Sequence, residues 1–532
     1  MKDGTNIVLI GFMGTGKSLV GKELARRLEL GYVDTDELIE KKEGKAIPEI
    51  FAQKGEDYFR QREKEVIKEI SKFKGYVIST GGGAVLSPEN IKCLKENGYL
   101  VCLTANTEVI LQRTKNQNGE RPLLNGFRNK KKRIQELLKA RKPYYQQADF
   151  TIDTSSLSIP QIVNAIITVL PGRELKVRVG DRTYPIYVGG SIEETGKIAS
   201  RLGLKGKILV ISDRNVFPIY GKKVANSLQR KKFLVSSLVI PPGERYKSLS
   251  QAKKMYNFCI DLEMDRTSSI LALGGGVVGD LSGFVAATFL RGVNFVVVPT
   301  SLLAQVDSSV GGKVGVNLPQ GKNLVGCFYQ PKFVLIDPGV LKTLPPRRVR
   351  EGIAEVIKCA IIDNDNFFSY LEKNITRALK KDPHTLRFLI NKAIQTKIKV
   401  VEQDEREEKG IRQILNFGHT LGHAIEKASG YRRYTHGEAV AIGMVGESMI
   451  AEKIGLFSPS GLQNLIRLLV RAKLPVKAKG VDAEKIFRAL KVDKKIREGK
   501  QVFALPEAIG RIVLVDEIPQ SLVRKVIQEI VS

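Results

Sequence analysis

The sequence predicts an α/β protein with more than one domain. Short apolar segments that are typical of buried strands, such as NIVLIGF, GYVIST and SSILAL, alternate with charged amphipathic stretches that are typical of helices. The chain has 532 residues, which is more than a single hydrophobic core usually supports. Together, these observations favour parallel sheets flanked by helices in at least two domains.

The first domain is predicted to span residues 1–170 and to contain a parallel sheet. Its last helical stretch is interrupted by a Pro-Gly pair in VLPGREL, and alternating segments that predict new strands follow this pair. The second domain is predicted to span residues 171–532. Strands should alternate with helices over 176–344, whereas residues 345–532 should be mainly helical, with an exception near VFALPEAIGRIVLV.

The formal net charge of +30 raises the alternative of a nucleic-acid-binding protein, because clustered basic side chains can neutralise phosphates. Lysines and arginines are, however, dispersed along the chain among many glutamates, and the one dense run is RNKKKR. We therefore expect small anionic substrates and no nucleic acid.

The chain is expected to be a soluble, cytoplasmic protein that does not contact a membrane. No stretch of about twenty apolar residues occurs, and the N-terminus lacks the pattern of a cleavage site. The five cysteines show no C-x-x-C spacing, which argues against both a disulfide framework and a zinc-finger module. A reducing compartment fits this cysteine usage best.

The segment GFMGTGKS follows an apolar strand and opens a helix, which is the context that a phosphate-binding loop requires. Glycines in such a loop let backbone N–H groups converge on phosphate oxygens at a helix N-terminus. A lysine reaches the β- and γ-phosphates, and a serine hydroxyl binds Mg²⁺. The predicted ATP-binding residues are Gly11, Gly14, Thr15, Gly16, Lys17 and Ser18.

Two acidic residues, Asp34 and Asp36 in VDTDELIE, lie at the end of the next predicted strand. Seen alone, this pair is typical of a turn and a helix cap. Beside a phosphate loop, one carboxylate is expected to assist Mg²⁺ and the other to meet the hydroxyl of a phosphate acceptor.

With YFRQRE, STGGGAV, GERPLL and ARKPYY, these motifs resemble the shikimate kinase family over residues 5–168. The resemblance implies that Asp34 assists Mg²⁺, that a mobile lid brings Arg121 to the transferred phosphate, and that Arg113 lies against adenine. Lys17, Asp36 and Arg121 would be catalytic. Shikimate would be held by Asp36, Arg60, Gly82 and Arg141.

In the second domain, LNFGHTLGHAIE places His419 and His423 one helical turn apart. Such a pair can be a solvated helix face, a metal site or a catalytic pair. Glu355, in EGIAEVIKCAII, could join His419 and His436 as a carboxylate and two-histidine metal set with open positions for a substrate. His423 would then face the substrate as a hydrogen-bonding or proton-transfer group.

The glycine cluster after SSILAL predicts a close approach of backbone to a pyrophosphate at a helix N-terminus. With PPGERYKSL, DEREEKGIRQILNFGHTLGHAIE, YTHGEAVAIGM and VDKKIREGK, it resembles the 3-dehydroquinate synthase family over residues 176–532. The resemblance implies Zn²⁺ or Co²⁺ on Glu355, His419 and His436. It implies NAD on Asp213, Glu244, Lys247, Gly275, Gly276, Asp280, Thr300, Ser301, Lys313 and Lys322.

The same resemblance implies a substrate pocket and a homodimer through the synthase domain. The catalytic residues would be Asp307, Lys313, Lys358, Asn416 and His423. The other substrate contacts would be Asn323, Lys397 and Arg412, with Arg291 supplied by the neighbouring subunit and one of Lys494 and Lys495 completing the anion pocket.

The predicted protein is therefore a bifunctional enzyme of aromatic-precursor biosynthesis, in which a kinase that uses ATP and Mg²⁺ precedes an NAD-dependent synthase. The alternative for the second domain is a polyol oxidoreductase that resembles glycerol dehydrogenase. Its uncharged substrate would not require the many lysines of the predicted pocket.

Overall fold

The computed structural model describes residues 5–115, 127, 129–170, 173–180, 182–491, 496–497 and 500–532. The chain divides into two compact units, Met1–Gly172 and Arg173–Ser532. Both units contain parallel sheets flanked by helices, so the predicted α/β class is confirmed.

The N-terminal unit is built on a five-stranded parallel sheet with strand order β2-β3-β1-β4-β5. Its strands are β1 (Asn6–Gly11), β2 (Gly31–Asp34), β3 (Tyr76–Ser79), β4 (Gly98–Thr104) and β5 (Phe150–Asp153). Its helices are α1 (Lys17–Leu28), α2 (Thr35–Glu43), α3 (Ile47–Ile70), α4 (Pro88–Asn97), α5 (Thr107–Lys115), α6 (Lys130–Tyr145) and α7 (Ile159–Val169).

The apolar strand β1 lies at the centre of this sheet, and all six of its residues are buried. A strand covered on both faces is expected to be continuously apolar, as NIVLIG is. The phosphate loop therefore begins at the carboxyl end of the central strand and ends in α1. Gly14 and Gly16 adopt positive φ angles of 74° and 92°, which suit glycine.

The C-terminal unit contains a seven-stranded sheet with order β6-β7-β14-β11-β10-β8-β9, in which only the β6–β7 pair is antiparallel. The elements of this half are β6 (Arg173–Val179), β7 (Arg182–Val188), α8 (Thr195–Arg201), β8 (Lys207–Asp213), α9 (Lys222–Gln229), β9 (Leu234–Ile240), α10 (Leu249–Asp261), β10 (Ser269–Gly274), α11 (Gly276–Thr288), β11 (Asn294–Pro299), the hairpin strands β12 (Lys313–Leu318) and β13 (Gly321–Phe328), and β14 (Phe333–Ile336).

The first strand of this unit differs from its predicted bounds. β6 begins at Arg173, whereas the sequence pattern placed the new strand at Lys176. The reason is its pairing with β7, which extends to Arg173 opposite Val188. Propensity alone does not reveal such an extension, because the partner strand provides the hydrogen bonds.

The remaining residues are mainly helical, as predicted. They form α12 (Pro346–Asp363), α13 (Asp365–Leu379), α14 (Pro383–Gln403), α15 (His419–Ala428), α16 (His436–Lys453), α17 (Pro459–Arg471), α18 (Ala483–Lys491), the short strands β15 (Ile496–Arg497) and β16 (Lys500–Gln501), then β17 (Phe503–Ala508), β18 (Arg511–Val515) and α19 (Gln520–Val531). The exception predicted near VFALPEAIGRIVLV is the antiparallel β17–β18 hairpin.

Helices α15 and α16 pack closely because glycines face each other at their contact. A Cβ added to Gly443 would lie 2.0 Å from the carbonyl oxygen of Gly418 and 2.7 Å from the amide nitrogen of Gly422. Glu447 is fully buried, and its carboxylate accepts hydrogen bonds from the amides of Gly418 (2.6 Å) and Leu421 (3.1 Å). A buried carboxylate on α16 thus satisfies amides at the start of α15.

Among the described residues, no helix combines the length and the apolar character that a membrane crossing requires.

The α15–α16 contact predicts a large effect for Gly443→Ala. The added methyl group would overlap backbone atoms, which cannot move like a flexible side chain, so the unfolding free energy of the C-terminal unit should fall by about 3 kcal/mol. Urea unfolding followed by circular dichroism measures this change. Gly279→Ala is the matched control, because a Cβ there meets nothing within 4 Å. Equal stabilities of the two variants would contradict the packing argument.

Candidate active sites

In the N-terminal unit, the predicted residues meet at the carboxyl edge of the sheet. The hydroxyl of Ser18, at the start of α1, donates a hydrogen bond of 2.8 Å to Asp34 Oδ2, and Tyr32 donates to the same oxygen at 3.2 Å. The other oxygen of Asp34 caps α2 by accepting from the Asp36 amide at 3.0 Å. Asp34 therefore lies where a hydroxyl and a carboxylate could share a Mg²⁺ ion.

Lys17 lies over the phosphate loop. Its ammonium group donates to the carbonyl oxygens of Gly11 (2.9 Å) and Phe12 (3.1 Å). The hydroxyl of Thr15 is turned away from the loop surface and donates to the Phe12 carbonyl at 2.7 Å. The loop thus holds its lysine at the position where phosphate oxygens would be cradled.

The four predicted shikimate-binding residues meet at the loop that follows β3. Gly82 belongs to this loop, and the side chains of Asp36, Arg60 and Arg141 lie beside it. The Arg60 guanidinium lies beside Gly83, where an added Cβ would be 2.5 Å from it, and Arg141 donates to the Gly82 carbonyl at 3.0 Å. The carboxylate of Asp36 lies against Gly81 in the same way. A larger residue at Gly81 or Gly83 would displace the side chains of Asp36 or Arg60.

Sequence reasoning missed Glu63, which lies one turn after Arg60 on α3. Its carboxylate is buried and pairs with the Arg60 guanidinium at 2.9 Å. Burial raises the pKa of Glu63, although Arg60 opposes that shift. The i, i+3 spacing within FRQRE was a visible signal for the pair.

Two other kinase predictions have different outcomes. Arg113 donates to the Thr154 side chain at 3.0 Å and to the Thr154 carbonyl at 2.9 Å, with a longer bond of 3.4 Å to the Gly14 carbonyl. This places it beside the phosphate loop. Arg121 and residues 116–120 of the predicted lid lie outside the described residues.

In the C-terminal unit, one atom each from Glu355, His419 and His436 lies within 4.8 Å of the others. Oε1 of Glu355 is 3.5 Å from Nε2 of His419 and 3.4 Å from Nε2 of His436. This oxygen is buried and accepts no hydrogen bond of good geometry among the described residues. A buried carboxylate oxygen facing two imidazole nitrogens is a donor set that fits a divalent metal ion.

Charged side chains surround this set. Lys358 lies 2.6 Å from Oε2 of Glu355 and 3.9 Å from Asp307, and the ammonium of Lys397 lies 2.6 Å from Asp307. Burial would raise the pKa of Glu355, but Lys358 and His436 lower it to about 2. Burial likewise opposes ionisation of Asp307, whose pKa is lowered to about 2 by Lys397 and Lys358. Both carboxylates are therefore ionised.

Asp307 occupies the π-helix Ala304–Ser308, a rare conformation that is frequent at functional sites. The other cations of the predicted pocket are held by nearby acceptors. Arg412 donates to the carbonyl oxygens of Glu405 (2.5 Å) and Gly311 (3.2 Å), and Lys313 pairs with Glu407 at 2.5 Å. Burial lowers the pKa of Arg412 and that of Lys313, so positive charge is concentrated there at an energetic cost.

The remaining predicted substrate residues are less closely joined. The His423 ring lies 5.4 Å from that of His419 and 5.9 Å from that of His436, measured between centroids. Asn416 ends the 3-10 helix Ile411–Asn416 and is half-buried. Arg291 is exposed, with a φ of 63°. Lys494 and Lys495 lie outside the described residues.

A cleft at the carboxyl ends of β10 and β11 is lined by Gly275, Gly279, Asp280 and Lys313. Gly275 caps α11 at its N-terminus, where the first backbone N–H groups of a helix have no partner within the helix. A Cβ at Gly276 would lie 3.2 Å from the Ser308 hydroxyl, and one at Gly279 would meet only open space. These glycines form a cradle that fits a dinucleotide pyrophosphate.

Of the other predicted NAD residues, Lys247, Thr300 and Ser301 form hydrogen bonds with residues that line this cleft, whereas Glu244 and Asp213 bond to residues outside its lining. Lys247 closely contacts both Asp280 and Asn323, so a predicted NAD residue and a predicted substrate residue share one ammonium group. Glu244 accepts from Asn317 at 2.8 Å. Asp213 caps the turn after β8, Ser301 accepts from the Ala304 amide at 3.2 Å, and the amide of Thr300 donates to Gly274 at 2.9 Å.

The predicted NAD residue Lys322 lies elsewhere. Its ammonium group is 2.9 Å from Glu426, whose other oxygen is 3.2 Å from Nδ1 of His436. Sequence reasoning missed Glu426, although its position three residues after His423 placed it on the same helical face. Burial opposes ionisation of Glu426, but His436 and Lys322 lower its pKa to about 2.

The folds and sites define the class of the protein. The N-terminal unit is a phosphate-loop kinase domain, and the C-terminal unit combines a glycine-lined cleft that fits a dinucleotide with a helical half whose side chains fit a metal ion. Comparison with known proteins agrees: residues 13–171 match the family model of shikimate kinase, residues 237–351 match the 3-dehydroquinate synthase N-terminal model, and residues 352–496 match the 3-dehydroquinate synthase C-terminal model.

Individual proteins are similar to parts of this chain. The 3-dehydroquinate synthase of Crocosphaera subtropica is 46% identical over 360 residues, which are 67% of this chain and 98% of that protein. A solved 2-deoxy-scyllo-inosose synthase, complexed with carbaglucose-6-phosphate, NAD+ and Co2+, is 30% identical, with a TM-score of 0.61 over 67% of this chain and 100% of its own. A shikimate kinase from Acinetobacter baumannii, solved with shikimate, is 39% identical over 31% of this chain and 92% of its own, with a TM-score of 0.30.

The chain belongs to the 3-dehydroquinate synthase family and carries a shikimate kinase domain before its synthase domain. It is a bifunctional enzyme of the shikimate pathway.

The charge network of the synthase unit predicts the effect of Asp307→Asn. Lys358 and Lys397 would remain buried with one negative charge fewer, so the unfolding free energy at neutral pH should fall by about 3 kcal/mol. Because the pKa of Asp307 is lowered by folding, its carboxylate stabilises the fold fully above about pH 4 and loses that effect as the pH falls towards 2.

Urea unfolding at about pH 6 and about pH 3 measures this difference. The wild-type protein should lose more stability on acidification than Asp307→Asn. The exposed Asp261→Asn is the control and should follow the wild type. Equal pH dependence of all three proteins would contradict the assigned pKa shift.

Proposed function

We propose that the synthase unit converts 3-deoxy-arabino-heptulosonate 7-phosphate to 3-dehydroquinate with release of phosphate, and that the residues described above carry the reaction. The observation that supports this most directly is the convergence of Glu355, His419 and His436 beside the buried Lys358 and Lys397. A polyol without negative charge would not need the further cations Lys313 and Arg412, whose burial is energetically costly.

Glu355 Oε1 and the Nε2 atoms of His419 and His436 would hold the metal. Zinc and cobalt are favoured by the carboxylate and two-histidine donor set. When bound, such an ion supplies a Lewis acid that binds neighbouring substrate oxygens and makes a hydroxyl more acidic. The 2-deoxy-scyllo-inosose synthase was solved with NAD+ and Co2+, and a 2-epi-5-epi-valiolone synthase from Streptomyces hygroscopicus was solved with NAD+ and Zn2+. These structures support the same choice for this chain.

The N-terminus of α11 and the glycines before it would hold the NAD pyrophosphate. Bound NAD supplies a reversible hydride acceptor, so the overall conversion is redox-neutral. Lys247 would orient this side of the cleft, because it already bridges Asp280 and Asn323.

The cations of the pocket would bind the substrate phosphate and carboxylate. Glu407 neutralises only part of the positive charge of Lys313 and Arg412. A guanidinium such as that of Arg412 pairs well with a carboxylate or a phosphate. Asp307 holds Lys397 and faces Lys358, which keeps both ammonium groups in place before substrate binds.

His423 would hold or pass a proton on the substrate side of the metal. The substrate phosphate can accept the proton of the acidified C–H, so the protein need not supply a strong base.

The kinase unit would phosphorylate shikimate with ATP and Mg²⁺. Lys17 would move from the loop carbonyls to the β- and γ-phosphates, while Ser18 and Asp34 would hold Mg²⁺. Asp36 would receive the acceptor hydroxyl, and the Arg60 and Arg141 guanidinium groups would bind the shikimate carboxylate. Arg121 is proposed for the transferred phosphate from its motif alone.

A cytoplasmic location and a homodimer through the synthase unit are also proposed. The five cysteines are all free, which suits a reducing compartment. The exposed Arg291 suits a contact with the active site of a neighbouring subunit.

The synthase proposal predicts phosphate release from 3-deoxy-arabino-heptulosonate 7-phosphate with catalytic NAD and without accumulation of NADH. Chelation and His419→Ala should each reduce the rate by more than about 100-fold, since both remove the metal. His384→Ala changes the one histidine outside LNFGHTLGHAIE and His436, and it should retain activity. Stoichiometric NADH formation would instead favour a polyol dehydrogenase.

The kinase proposal predicts that Asp36→Ala lowers shikimate phosphorylation by about 10²- to 10⁴-fold, because the acceptor hydroxyl loses its carboxylate. Synthase activity of the same protein should be unchanged. Asp57→Asn, at an exposed position on α3, is the control and should leave both activities intact. Normal phosphorylation by Asp36→Ala would refute the assignment of this carboxylate.

A further inference from the structure

Glu426 joins the metal site to the β12–β13 hairpin. It lies on α15, seven residues after His419, and its side chain is almost fully buried. One carboxylate oxygen faces Nδ1 of His436 at 3.2 Å, and the other accepts from the Lys322 ammonium at 2.9 Å. The carboxylate thus connects a residue of the hairpin with one of the three proposed metal ligands.

The contact with Glu426 defines what His436 can offer to a metal. If Nδ1 donates its proton to the carboxylate, Nε2 retains its lone pair, and Nε2 is the atom that lies 3.4 Å from Glu355 Oε1. A carboxylate behind an imidazole also fixes the orientation of the ring and increases its basicity.

The other histidine ligand is held differently. Nδ1 of His419 lies 3.2 Å from the backbone carbonyl of Phe417, so its orientation depends on the main chain. Nδ1 of His436, by contrast, faces a side chain whose charge a single substitution can remove. This difference makes the role of Glu426 accessible to experiment.

Lys322 has two contacts that hold it against Glu426. Besides the ion pair, its ammonium group lies 4.3 Å from the centroid of the Tyr431 ring, a cation–π geometry. The ammonium therefore neutralises the buried carboxylate and restrains its position.

We propose that Glu426 is a positioning residue that orients His436 for metal binding, and that Lys322 holds Glu426 in that position. This inference rests on the proposed metal site. A second grouping, His423, Glu426 and His436, also has ligand atoms within 4.8 Å of one another and would make Glu426 a direct ligand. The positioning role is favoured because His436 Nδ1 faces Glu426 while Nε2 faces Glu355, so one imidazole serves both contacts.

The test measures Co²⁺ binding to the metal-stripped full-length protein by competition with a chromophoric chelator, and the visible absorption of the Co²⁺-saturated protein. Glu426→Gln keeps the shape of the side chain and removes its charge, and it should weaken Co²⁺ affinity by about 10- to 100-fold. Lys322→Met should weaken affinity in the same direction by a smaller factor. The double variant should bind Co²⁺ more weakly than the wild type by less than the product of the two single effects.

At saturating Co²⁺, the absorption intensity of Glu426→Gln should match that of the wild type, because the number of ligands is unchanged. Glu351→Gln is the matched control. Glu351 is also buried and ion-paired, through Arg348, and it lies one turn before Glu355 on α12. This control should bind Co²⁺ like the wild type.

The outcomes separate this inference from the function on which it rests. Unchanged Co²⁺ affinity in Glu426→Gln and Lys322→Met would overturn the positioning role while leaving the metal site intact. A changed absorption intensity in Glu426→Gln would overturn it in favour of direct ligation. Absence of Co²⁺ binding by the wild-type protein would refute the metal site itself. If Glu426→Gln failed to fold, Lys322→Met would test the contact between Lys322 and Glu426 by changing a half-buried residue of the hairpin.

Discussion

The synthase site depends on a buried run of alternating charges. Glu355, Lys358, Asp307 and Lys397 lie in this order, each within 4 Å of the next, and each carboxylate is ionised because ammonium groups flank it. Any one of these charges would be costly to bury alone. Together they bring the carboxylate proposed to bind the metal and two cations to one place, with their positions fixed before a substrate arrives.

The two proposed phosphate-binding places share one local architecture. In each, a strand with a buried, apolar run ends at glycines that lead into a helix, as in Gly16 before α1 and Gly275 before α11. Backbone N–H groups at the helix start then bind anions without a side chain. The units differ in what is added: Asp34 and Asp36 beside the kinase loop, and a helical half in the synthase that carries lysines and the proposed metal ligands.

Much of this arrangement could be predicted from sequence, because local patterns encode it. Strand and helix alternation predicted the α/β class, and the spacing of GFMGTGKS predicted the phosphate loop. The structure also brings Glu355, His419 and His436 together, although 81 residues separate the first from the last. That grouping was available only because chemistry and family resemblance pointed to the same residue types.

The partners of the predicted residues could not be found in this way. Glu426 bonds to His436 from another helix, and Lys322 reaches Glu426 from a hairpin more than one hundred residues earlier. The pairing of Lys313 with Glu407 is equally distant in sequence. Such contacts depend on tertiary packing, and charge or periodicity within a segment does not specify them.

The most direct measurement is anomalous diffraction from crystals loaded with Zn²⁺. The account predicts one anomalous peak, from a Zn²⁺ ion that lies about 2.0–2.2 Å from Glu355 Oε1 and from Nε2 of His419 and His436. A peak between His423, Glu426 and His436, or no peak at either place, would contradict it.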